Sequence, residues 1–207
     1  MMIHPDIYAA LARERSRTFL AEAEAAPLSR PLGRPLPRPS GGRPVRLRDG
    51  SAVLIRPVRP EDAGVLEDGF AELRYVTGVD HRDHEALGAL DHADGRGVGI
   101  ARYIRDAEDP QAAEIAVTIV DDWQGRGLGT ELLTRLSRRA RSEGIHRFTA
   151  LVAADNVAMA GLLRNMSASL VGRGPGTVEY EITLMPPGKS TITPAAGLCQ
   201  DHVRAPC

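Results

Sequence analysis

Three glycines at alternate positions, Gly125, Gly127 and Gly129, stand between a β-branched run and a run of leucines at helical spacing. Before them Ile115, Val117 and Ile119 alternate as in a strand with one face in a core. After them Leu128, Leu132, Leu133, Leu136 and Ala140 keep the 3.6-residue period of a helix. Strand, glycine loop and helix in that order can bind an anion. The first four N–H groups of a helix have no partner inside it, and the peptide dipoles add about half a positive charge at that end. Glycines let the backbone turn sharply and approach a ligand that a Cβ would hold away, and a phosphate is the natural guest. The spacing is neither the dinucleotide fingerprint GxGxxG nor a P-loop, which needs a following Lys-Ser/Thr pair. An ordinary glycine turn opening a helix would carry the same glycines.

A second polar cluster, Asp80-His81-Arg82-Asp83-His84, has the ligand types of a borderline metal site, with His92 further along. Three-residue spacing on a strand or loop does not make two imidazoles converge. Side-chain bonds to the backbone at the start of a strand are the expected use, and no metal is expected.

A chain of 207 residues is sized for one domain with appendages, and a net charge of -1 exerts no global pull on nucleic acid. With 4% aromatic residues, Leu, Val, Ile and Ala must fill the core. No apolar run is long enough to cross a bilayer, and residues 1–20 lack a secretory signal pattern. Cys199 and Cys207 lie near the chain end and do not make a disulfide framework, which points to the cytoplasm.

Residues 1–26 read as a marginal helix without one clean apolar stripe, and residues 27–45 as a linker of prolines and arginines. Its arginines, from Arg30 to Arg48, lack interleaved aromatics, so a solvated tether is preferred to a nucleic-acid arm. Val53, Ile55 and Val58 open the ordered part, and Pro60-Glu61-Asp62 starts a helix carrying Ala63, Leu66, Phe70 and Leu73. Strands are expected over 86–90, 98–104 and 148–154. Asp155-Asn156 caps a helix with Met159, Leu162, Leu163 and Met166. Runs 168–171 and 178–184 flank a glycine-rich hairpin, and residues 186–207 read as a disordered tail.

Gln124-Gly125-Arg126-Gly127-Leu128-Gly129 resembles the Gln/Arg-x-x-Gly-x-Gly/Ala signature of the GNAT superfamily of N-acyltransferases. "LIRPVRPEDA" is similar to that superfamily's first strand and helix. "VDHRDHEALGALD", "AEIAVTI" and "HRFTALVAADNVAM" resemble the acetyltransferase domain of bacterial protein-lysine acetyltransferases. The resemblance covers residues 46–185. It implies an α/β (α+β) fold with a mixed, mostly antiparallel sheet of six or seven strands and helices on both faces. It also implies acetyl-CoA as co-substrate and an amine acceptor, a protein lysine or a small molecule. The oligomeric state is left open, a homodimer included.

On that resemblance the amides of Gly125, Arg126, Gly127, Leu128, Gly129 and Thr130 receive the diphosphate, and Gln124 of the signature also belongs to the cofactor site. Val117, Thr118 and Ile119 offer a strand edge to the pantetheine arm, and Asn156 reaches the cofactor. Glu114 takes the place of the general base, which an amine of pKa near 10.4 requires. Apolar surroundings would raise its carboxyl toward neutrality; a glutamate on a solvated strand edge is the alternative. Two departures stand out. The tyrosine that many members carry as general acid is replaced by Leu163, and the acceptor wall after Leu73 is short. A coenzyme A-binding module without turnover is therefore a second reading, and an interaction protein using the basic linker a third. The cyclic-nucleotide domain of the similar lysine acetyltransferases finds no room in the first 45 residues, so that regulation is not expected here.

Overall fold

The structure, a computed structural model, describes residues 43–59 and 80–184. The expected helix at 1–26, most of the linker, the helix from residue 60, the short wall after Leu73 and the tail at 186–207 lie outside the described residues.

Among the described residues, eight strands form one sheet. They are β1 (Val45–Arg46), β2 (Ala52–Pro57), β3 (His84–Asp91), β4 (Gly97–Arg105), β5 (Ala112–Ile119), β6 (Arg147–Ala153), β7 (Ser169–Gly174) and β8 (Thr177–Thr183). Helix α1 (Leu128–Ser142) links β5 to β6, and α2 (Val157–Asn165) links β6 to β7. The order across the sheet is β1-β2-β3-β4-β5-β6-β8-β7. Every neighbouring pair is antiparallel except β5 and β6. The mixed fold is as expected, with one strand more. That strand is the two-residue β1, too short to leave a periodic trace in the sequence.

Alternation assigns the faces. Ala113 and Ile115 of β5 join Ala101 and Tyr103 of β4, Leu87 and Ala89 of β3, and Phe148, Ala150 and Val152 of β6 in the main core. Leu128, Leu132, Leu133, Leu136 and Ala140 of α1 close that core, the stripe that the 3.6-residue period predicts. The opposite face of β5 carries Glu114, Ala116 and Thr118. Among the described residues, no helix is long and apolar enough to cross a membrane.

The β7–β8 hairpin is tighter than its glycines suggest. β7 runs on to Gly174, and Pro175-Gly176 alone make the turn, with Gly176 at φ +73. Proline followed by a left-handed glycine is the pattern of a type II turn.

Candidate active site

β5 and β6 pair only at Ala112↔Arg147, Ala113↔Phe148 and Glu114↔Thr149. Beyond that last pair β5 continues to Ile119 and β6 to Ala153 without further mutual pairing. Five residues at strand rise make a cleft about 17 Å long. The main chain along its β5 edge follows from one bond: Val120 N–H donates to Val98 O at 3.1 Å, toward β4. Alternation then turns the peptide groups of Val117 and Ile119 toward the cleft, and that of Thr118 toward β4. Val117 and Ile119 thus turn main-chain groups toward the cleft, while Thr118 does not. The Thr118 hydroxyl is buried without a hydrogen-bond partner among the described residues.

The glycine loop closes the far end of the cleft. Residues Asp121–Trp123 form one 3-10 turn, and the side-chain amide of Gln124 donates to Ile119 O at 3.3 Å and Asp121 Oδ1 at 3.0 Å. Gln124 therefore ties loop to strand with its side chain. Gly125 and Gly127 have φ of +72 and +92, left-handed values that a side chain strains. Gly127 is the N-cap of α1, and Glu131 N–H donates to its carbonyl at 3.2 Å. The N–H groups of 127–130 precede the first intrahelical donor, so none has an acceptor inside the helix, the arrangement that suits an anion.

Gly129 works differently. It lies inside α1, where a Cβ would stand 2.8 Å from Leu162 Cδ2 and 3.1 Å from Ile119 Cδ1. Its lack of a side chain lets the helix start close against α2 and β5.

A brace absent from the sequence reading holds this loop from outside. In the turn between β1 and β2, Arg48 N–H donates to Arg126 O at 3.1 Å, and Asp49 Oδ2 lies 3.1 Å from Arg126 Nη1. The Arg126 guanidinium also stacks over Trp123, 4.8 Å from the ring centroid. Hydrogen bonds from Ser51 N–H and Oγ, at 3.0 and 2.6 Å, hold the Asp49 carboxyl below its usual range.

Asn156 caps α2, as expected: its Oδ1 accepts from Met159 N–H at 2.9 Å. Leu163, one turn further on, is fully buried in the core. It presents no proton donor.

Glu114 is half-buried at the mouth of the cleft, opposite Thr149. Cross-strand rows on its face read His84, Ile104, Glu114, Thr149 and then Ala86, Arg102, Ala116. A carboxylate, an imidazole and a guanidinium thus share one side of the sheet. Burial, and then the charge of Arg102, push the His84 imidazole down to about 4, and its Nε2 is buried without a partner among the described residues.

The other histidine of the cluster turns away. His81, in a left-handed conformation at φ +59, places Nδ1 2.9 Å from Glu85 Oε1 on the α1 side. Glu85 is buried, and its Oε2 accepts from Arg139 Nε at 3.0 Å. Arg139 also donates to His81 O at 2.8 Å, which fastens the start of β3 to α1. Asp80 Oδ1 accepts from the N–H groups of Arg82, Asp83 and His84, the backbone-bonding use expected for this segment. Among the described residues, no three His, Cys, Asp or Glu side chains are grouped to hold a metal ion.

The Acetyltransferase (GNAT) family model matches residues 58–167. The acetyltransferase Pat of Mycolicibacterium smegmatis is 31% identical over 163 residues, covering 69% of this chain and 49% of that protein. The chain thus spans about half the length of that relative. The GNAT domain of S. lividans PAT superposes with a TM-score of 0.63 at 25% identity, covering 71% of this chain and 99% of that domain. YncA of Salmonella typhimurium, solved with its cofactor acetyl-CoA, superposes with a TM-score of 0.54 at 18% identity, covering 70% and 98%. This last likeness is one of fold.

Proposed function

The chain belongs to the acetyltransferase (GNAT) family, and on that premise we propose that it transfers an acetyl group from acetyl-CoA to a primary amine, a protein lysine foremost, in the cytoplasm. One observation supports the reading above the others: β5 and β6 part directly after the Glu114–Thr149 pair, and the cleft ends at the glycine loop. A thiol-bearing arm lying in that cleft has its diphosphate at residues 127–130, its amides at Val117 and Ile119, and its thioester near Glu114.

Glu114 accepts a proton from the incoming ammonium, directly or through water, because only the neutral amine attacks a carbonyl. The amine nitrogen bonds to the acetyl carbon, and the tetrahedral intermediate collapses by breaking its C–S bond, releasing the coenzyme thiolate while the second nitrogen proton passes to water. With an ordinary thiol pKa near 8.5, that thiolate takes its proton from water, since Leu163 has none to give. The product is an amide and free coenzyme A.

Thiol release from acetyl-CoA, measured with lysine peptides, free amino acids and polyamines, tests the proposal. Release that depends on one amine class supports it, and the absence of release across the panel contradicts it. The buried Leu163 also favours a second reading, a coenzyme A-binding module without turnover. Tight coenzyme binding by calorimetry in a sample that transfers nothing would select that reading.

A further inference from the structure

Arg48 lies outside the stretch that the family model matches, in the turn between β1 and β2. Its stem nevertheless runs along the N-cap of α1. A Cβ on Gly127 would stand 3.4 Å from Arg48 Cγ and Cδ and 3.5 Å from Nε. The bond from Arg48 N–H to Arg126 O fixes this approach from the main chain. A guanidinium is thereby held at the rim of the helix end that carries the unpaired N–H groups.

The other cation of the loop is already engaged. Arg126 is ion-paired with Asp49 and stacked on Trp123. Asp49 in turn accepts from Ser51, so its carboxylate is committed as well. The Arg48 guanidinium has no hydrogen bond or ion pair to any group among the described residues. Half a charge from a helix dipole is a weak match for a diphosphate, whereas a guanidinium offers paired donors in the geometry that phosphate oxygens accept.

We infer that Arg48 is a further coenzyme-binding residue, which pairs with the diphosphate that the main-chain N–H groups of 127–130 receive. The inference rests on the coenzyme reading given above. It makes the N-terminal hairpin part of the site: one residue, Arg48, supplies charge, and the next, Asp49, neutralises the cation that would compete for the same anion.

The test is calorimetric titration of the full chain, wild type, Arg48→Gln and Arg48→Lys, with coenzyme A and with dephospho-coenzyme A. Arg48 is exposed, so neither variant should shift the thermal midpoint. Arg48→Gln is expected to weaken both ligands about tenfold, and Arg48→Lys to restore part of the loss. The gap should shrink in 1 M salt, where the Debye length is about 3 Å. Unchanged affinity in Arg48→Gln overturns the inference. So does a loss confined to coenzyme A, which would assign Arg48 to the 3′-phosphate. Either outcome leaves the coenzyme reading standing, whereas a wild-type chain that binds neither ligand overturns both.

Discussion

Glu114 stands opposite Thr149 in the last parallel pair that β5 and β6 make. The residue proposed as base is therefore held by paired backbone, while the strand beyond it is open to a ligand. Replacing Glu114 by glutamine keeps the shape and removes the proton acceptor. The turnover number should fall by about 10²–10⁴-fold, with coenzyme affinity unchanged. Steady-state kinetics beside calorimetry separates the two, and an unaltered turnover number would remove Glu114 from the chemistry.

Gly127 combines φ +92 with the Arg48 stem 3.4 Å from where a Cβ would stand. Gly127→Ala should cost about 1–2 kcal/mol of stability through the left-handed backbone. The methyl would also touch the Arg48 stem, and relief of the left-handed strain would turn the adjoining N–H groups, so coenzyme affinity should drop at least tenfold. Chemical denaturation and calorimetry on the same sample read both effects.

Asn156 has a structural duty that its proposed cofactor contact must share. Losing the cap to Met159 N–H in Asn156→Ala should cost about 1 kcal/mol, and Asn156→Ser should recover most of it. If the side-chain amide also reaches the coenzyme, serine restores the thermal midpoint and leaves the affinity low. Recovery of both by serine would reduce Asn156 to a cap.

His84 gives the protein an acid-sensitive seam. Burial and then the Arg102 charge lower its folded value from 6.5 to about 4, so the unfolded chain binds this proton more readily. Between those values the unfolded state holds more protons, and stability rises with pH. Stability therefore falls as pH drops from about 6.5 to 4, by up to about 3 kcal/mol from this group at 1.36 kcal/mol per pKa unit. Urea midpoints for the wild type should decline across that window, and His84→Gln should flatten the decline.

Much of this was legible in the sequence because it is periodic or local. The alternation of Ile115, Val117 and Ile119 and the leucine stripe of α1 each report a face in a single element. The Asn156 cap and the Asp80 turn reach only a few residues. The brace of Arg48 and Asp49 on the loop left no such trace, since it depends on where a short turn lands against a distant helix. Glu85 is similar: it sits in an apolar strand, and its partner Arg139 is 54 residues away. The glycines carried a mixed message. Gly125 and Gly127 serve the turn, whereas Gly129 serves the contact with Leu162, and spacing alone does not separate a missing side chain needed for φ from one needed for packing.

Calorimetric titration of the full chain with coenzyme A bears most directly on the central claim. One site per chain is predicted, with a dissociation constant between about 1 μM and 1 mM, the usual range for substrates, and with at least tenfold weaker binding in Gly127→Ala. No binding at millimolar coenzyme, or binding that Gly127→Ala leaves untouched, would contradict the account.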